Sequence, residues 1–194
     1  MKLHHECLTC LIDTAVKQAR LSTDDEELQF EALSEFLDFL HSNLDERRTP
    51  PFYGSKRSKI MRDVTSNFDP YEELKKNSNK SAYRLKPSAE SLLEDLDGRE
   101  EKLEMAFKIV AIANSMEFGV SGFDFDPDNF HSEFKGLIND GFGTDNSSEI
   151  ISKILSSDEI VYLTDNCGEV VLDQILMKEL KDLGIELSIG VKSE

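Results

Sequence analysis

Ile160-Val161-Tyr162-Leu163-Thr164-Asp165-Asn166-Cys167-Gly168-Glu169 sets the architecture. Four apolar residues lead into a polar turn, and the turn opens an amphipathic segment from Val170 to Leu183. This order predicts strand, turn and helix. A second apolar run, Ile185 to Val191, follows a turn at Gly184. The spacing predicts one βαβ unit: parallel strands over 159–163 and 185–191, joined by a right-handed crossover through a helix over 168–183.

Upstream, the pattern is helical. Leu8, Leu11, Ile12, Ala15, Val16 and Ala19 recur at helical spacing over residues 7–20. Ser22-Thr23-Asp24-Asp25-Glu26 supplies an N-cap and an acidic first turn for a second helix, whose apolar stripe includes Leu28, Phe30, Ala32, Leu33, Phe36, Leu37 and Leu40. Pro50-Pro51 breaks the chain before a helix over 56–66. Asp69-Pro70 starts a short helix, and Ser78 to Glu94 forms another with a kink or boundary at Pro87. Gly98 precedes a strong helix, Arg99 to Phe118. After Gly119 the composition changes: Ser121 to Asp128 reads as a loop, Phe130 to Asn139 as a short helix, Gly141-Phe142-Gly143 as a hinge, and Asp145 to Ser156 as a capped helix.

The expected fold class is α/β in a multi-domain sense. A helical domain over 1–120 precedes the start of a parallel-sheet α/β domain over 121–194. Two strands and one crossover helix bury little of themselves. The sheet is therefore expected to be covered by the helical part, by another copy in a homo-oligomer, or by the rest of a longer fold.

The 194 residues carry 22 Lys+Arg and 39 Asp+Glu, a net charge of −17. Such a chain repels phosphodiester backbones and anionic membranes, which argues against nucleic-acid and membrane partners. An anionic substrate would need local positive charge from a metal ion, a helix N-terminus or a few placed Lys/Arg. Lys56, Arg57, Lys59 and Arg62 form a small basic patch, read either as an exposed helix face or as reaching toward a substrate phosphate. No apolar run approaches the ~18 residues of a spanning helix, and the N-terminus lacks the apolar core of a signal peptide. Three cysteines fit no disulfide framework, which points to a reducing cytoplasm.

The turn at 164–169 admits two readings. Asp165 or Asn166 caps the helix while Gly168 eases a tight turn. Alternatively, the turn is a ligand site at the carboxyl end of a strand. In that case the Asp165 carboxylate and the Asn166 side-chain carbonyl coordinate a hard cation, and Gly168 and the helix-start N–H groups meet a phosphate oxygen. Glu169 and Asp173, one helical turn apart, are candidates for a supporting or base role.

Four stretches together resemble a known family. Thr164 to Asp173 resembles the Asp-Asn-x-Gly-Glu-x-x-x-Asp signature of the domain-of-unknown-function 89 family, described as damage-control, metal-dependent phosphatases. Cys7-Leu8-Thr9-Cys10 resembles the Cys-x-x-Cys of its stand-alone subfamily. Asp69-Pro70-Tyr71, with Lys75 and Asn79, resembles its Asp-Pro-Tyr…Lys…Asn segment. Ala111 to Gly119, containing Asn114, resembles its Ala-x-x-Gly-Asn-x-x-Asp-x-Gly segment, with Ala113 and Glu117 as departures.

The resemblance implies a helical domain joined to a three-layer α/β/α domain. It also implies hydrolysis of phosphate monoesters of small metabolites, such as sugar phosphates or phosphopantetheine-like compounds. Asp165 and Asn166 would be catalytic metal ligands for a divalent cation (cobalt, nickel, manganese or magnesium). Gly168, Glu169 and Asn114 would bind substrate phosphate. A third ligand, an Asp after the next strand, is expected downstream of Glu194. The alternative function is an inert binding or interaction module that keeps the family's shape.

His4, His5, Cys7 and Cys10 place four possible zinc ligands in seven residues. Cys7 and Cys10 are read either as helix residues packed on the core or as a second metal or redox site. His41 and His131 are isolated, Cys167 is a small filler, and the acidic runs at 24–27 and 94–104 are solvated helix faces.

Overall fold

A computed structural model describes residues 2–115, 136–138, 143 and 145–191. The expected loop at 121–128, most of the segment 130–139, Gly141 and Phe142 of the hinge, Met116 to Gly119, His131 and the domain boundary at 120 lie outside the described residues. The chain divides into two compact units, Met1–Glu73 and Leu74–Glu194.

The first unit contains α1 (Glu6–Ser22), α2 (Glu26–Asn43) and α3 (Pro50–Thr65). Its core is Leu11, Ala15 and Ala19 of α1, Ala32, Phe36 and Leu40 of α2, and Tyr53 and Met61 of α3. Asp25 caps α2: its carboxylate accepts from the N–H of Glu27 and of Leu28, at 2.9 and 3.3 Å. Pro50-Pro51 does not break the chain ahead of α3 but begins it, because a helix start has no N–H to lose and proline's φ is already helical. Phe30, placed on the apolar stripe of α2 by its spacing, is 75% exposed. The buried face of α2 is narrower, carried by Ala32, Phe36 and Leu40.

The second unit is built around α4 (Glu72–Glu94), α5 (Arg99–Ser115), α6 (Ser147–Leu155), β1 (Glu159–Leu163), α7 (Glu169–Asp182) and β2 (Glu186–Gly190). The two helices expected between Asp69 and Glu94 are one continuous helix with Pro87 inside it. Pro87 and Tyr83, whose carbonyl loses its helical partner, both face solvent, so water can satisfy that carbonyl. Ala82, Leu85, Ala89 and Leu93 lie on both sides of the proline in a single core, and this packing outweighs the local cost.

That core joins α4, α5, α6 and α7 to the sheet, with Leu103, Ile109, Leu172, Leu176 and Leu180 deeply buried. β1 and β2 pair in parallel, Ile160 opposite Leu187 and Tyr162 opposite Ile189. Ile160, Tyr162 and Leu187 pack on the core, whereas Val161 and Leu163 point to the other face and are 63% and 76% exposed. No helix among the described residues is long and apolar enough to cross a membrane.

Candidate active site

The polar turn hangs between the end of β1 and the start of α7. Thr164 extends the strand pairing by one residue: its N–H and hydroxyl both donate to the Gly190 carbonyl, at 3.0 and 3.3 Å. Gly168 then turns the chain with φ 85° and ψ −59°, a conformation that residues with a Cβ rarely adopt. The first bonds of α7 follow, from Val170 N–H to the Asn166 carbonyl at 3.2 Å and from Val171 N–H to the Gly168 carbonyl at 3.1 Å.

Side chains from other helices lock this geometry. The Gly168 N–H donates to Asn79 Oδ1 of α4 at 2.8 Å. The Asn166 N–H donates to Glu169 Oε2 at 3.0 Å, while Glu169 Oε1 takes the side-chain amide of Asn114 from α5. Two of the N–H groups that the sequence offers to a phosphate are therefore occupied. Those of Cys167 and Glu169 have no hydrogen-bond partner among the described residues. The Asp165 and Asn166 side chains are exposed at the carboxyl end of β1. Together they offer a carboxylate and a carbonyl oxygen, a donor set that fits a hard divalent cation.

Beneath the turn lie two buried carboxylates, Glu169 at 6% exposure and Asp173 at 5%. The Tyr162 hydroxyl faces the Asp173 carboxyl. Burial, together with the charge of Glu169, pushes the Asp173 carboxyl up to about 6, against the opposing effect of the tyrosine hydroxyl. Burial and the same two carboxylates push the Tyr162 phenol above its usual range. The result is a concentration of negative charge under an exposed Asp-Asn pair, which favours a cation there.

Asp165, Asn166, Gly168, Glu169 and Asn114 thus come together, whereas Cys7 and Cys10 belong to the first unit. The residues that pure sequence reasoning underrates are Asn79 and Tyr162. Asn79, half-buried in α4, stands out in the sequence only as the last residue of the Asp-Pro-Tyr…Lys…Asn resemblance, and Tyr162 only as an apolar strand residue.

A family model for the damage-control phosphatase ARMT1-like domain matches residues 3–194. The chain belongs to this family. It is similar to a damage-control phosphatase of Archaeoglobus fulgidus, with 30% identity over 181 residues, 93% of this chain and 61% of that protein. A damage-control phosphatase of Pyrococcus horikoshii is 27% identical over 94% of this chain. The crystal structure of a DUF89 family protein from P. horikoshii superposes with a TM-score of 0.83 at 26% identity, covering 97% of this chain and 64% of that one. The chain spans 61% of the length of both curated phosphatases. The family expected from the four motifs, and a helical part followed by a parallel βαβ unit, are what the comparisons and the fold show.

Proposed function

We propose that these residues form part of a metal-dependent phosphatase that hydrolyses phosphate monoesters of small metabolites, sugar phosphates or phosphopantetheine-like compounds, in the cytoplasm. The observation that carries this reading is the exposed Asp165–Asn166 pair at the carboxyl end of β1 in a chain of the damage-control phosphatase family. Asp165 and Asn166 would hold the cation, a Co²⁺, Ni²⁺, Mn²⁺ or Mg²⁺ ion. When bound, the cation supplies the positive charge that this acidic chain lacks and polarises the phosphate.

The chain's own residues do the positioning. Asn79 and Gly168 fix where the strand hands over to the helix. Glu169 and Asn114 hold the Asn166 backbone, so that both donor side chains project from a rigid turn. The Cys167 and Glu169 N–H groups, at the positive end of α7, are the ones left to meet a phosphate oxygen.

The test is hydrolysis of p-nitrophenyl phosphate with each of the four cations, alongside direct cation binding. Metal-stimulated turnover is expected to fall by more than ~100-fold in Asp165→Ala and in Asn166→Ala. Undiminished turnover in both variants would refute the ligand assignment. A chain that neither binds nor responds to any of the four cations would favour the binding-module reading.

A further inference from the structure

The turn from His4 to Cys7 lies in the first unit and plays no part in the phosphatase reading. One donor atom from each of His4, His5 and Glu6 lies within 4.8 Å of the other two. His4 Nδ1 is 3.5 Å from Glu6 Oε2, and the two imidazole centroids are 4.1 Å apart. Residues 4 and 7 are tied in both directions. The His4 N–H donates to Cys7 Sγ at 3.4 Å, and the Cys7 N–H donates to the His4 carbonyl at 2.9 Å.

This stretch is ordered by specific contacts although its side chains stay open. The Leu3 N–H donates to the carbonyls of Glu46 and Arg48, at 3.2 and 3.1 Å, and Leu3 packs on the core of the unit. His4, His5 and Glu6 are exposed, and Cys7 is half-buried. The cations of the loop that anchors Leu3 are engaged elsewhere: Arg47 pairs with Asp45, and Arg48 lies over the Phe52 ring.

We propose that His4, His5, Glu6 and Cys7 form a second metal site, specific for a borderline divalent cation of the Zn²⁺, Co²⁺ or Ni²⁺ class. Two imidazoles, one thiolate and one carboxylate are the donor set that such ions prefer, and one that Mg²⁺ avoids. Donors bound at ~2.0–2.3 Å stand roughly 3.4 Å apart in a tetrahedral site, so side-chain rotation closes the spacing of His4, His5 and Glu6, and Cys7, whose Sγ already accepts the His4 N–H, is the next donor along the turn. Binding releases the Cys7 thiol proton to solvent. Cys7 Sγ accepts the His4 N–H, whereas Cys10, one turn further along α1, has no such tie to the histidines among the described residues. The site is therefore built from Cys7 and the histidines rather than from the Cys7–Cys10 pair.

The experiment uses the full chain without an affinity tag, carrying Asp165→Ala and Asn166→Ala to silence the other candidate site. It is titrated with Co²⁺ while thiolate charge-transfer absorption and bound metal per chain are followed. About one Co²⁺ per chain is expected, with a near-ultraviolet sulfur band. Adding His4→Ala and His5→Ala should weaken binding by ~100-fold or more without changing the circular dichroism, because both side chains are exposed. Cys7→Ser should abolish the band and Cys10→Ser should preserve it. No stoichiometric binding, unchanged affinity without the histidines, or a band that follows Cys10 instead of Cys7 would each overturn the proposal.

Discussion

The Asn114 side-chain amide donates to Oε1 of Glu169, a carboxylate only 6% exposed. Glu169 in turn accepts the Asn166 N–H, so a residue of α5 governs the backbone of the turn through one intermediary. Asn114→Ala leaves a buried carboxylate one donor short, and stability should fall by about 1–3 kcal/mol. Urea unfolding checks this: the midpoint should drop with an unchanged slope, and an unshifted midpoint would show that the bond contributes nothing in solution.

Asp173 carries a pH signature. Its folded-state value of about 6 lies above the ordinary 3.8. The folded chain therefore binds more protons than the unfolded chain between these values, and stability falls as pH rises from about 4 to about 6, then stays lowered. The full effect is at most about 3 kcal/mol. Asp173→Asn keeps an acceptor for Tyr162 and loses the titration. The variant should match the parent below pH ~4 and exceed it above pH ~6. Parallel stability curves across that range would contradict the assignment.

Gly168 is buried at φ 85°. A Cβ there strains the backbone, so Gly168→Ala should cost about 1–2 kcal/mol and weaken cation binding at the turn. Calorimetry of both properties tests this, and a variant as stable as the parent would mean that the turn relaxes freely.

Pro87 offers a gain instead. It interrupts an otherwise continuous helix on its exposed side. Pro87→Ala restores an N–H and removes a clash, so stability should rise by about 1–3 kcal/mol. A thermal midpoint that does not rise would show that the chain has adapted fully to the proline.

The strand at 159–163 and the helix after Gly168 were legible because the apolar period changes from two to 3.6 across a polar turn. The long α4 was not, because the local rule that proline ends a helix is overridden by Ala82, Leu85, Ala89 and Leu93 sharing one core. Phe30 misled for the opposite reason: its spacing suits a wide apolar stripe, but α2 buries a narrow one. Asp165 and Asn166 could be placed in the turn because their neighbours in the chain announce it, whereas a ligand role for them comes only from the family resemblance. Asn79 and Tyr162 could not be placed, since what they touch is set by packing between elements rather than by any local pattern.

The Asn79–Gly168 bond spans 89 residues, and the Lys86–Gln174 bond between the same two helices spans 88. Closing loops of that length is slow and entropically costly, so such contacts form late. The βαβ unit can assemble its strands and helix locally, yet the turn at its centre takes its final shape only once α4 has docked. Site geometry is thus a late event in folding, and under mild denaturation the capacity to bind a cation should disappear before the helices do.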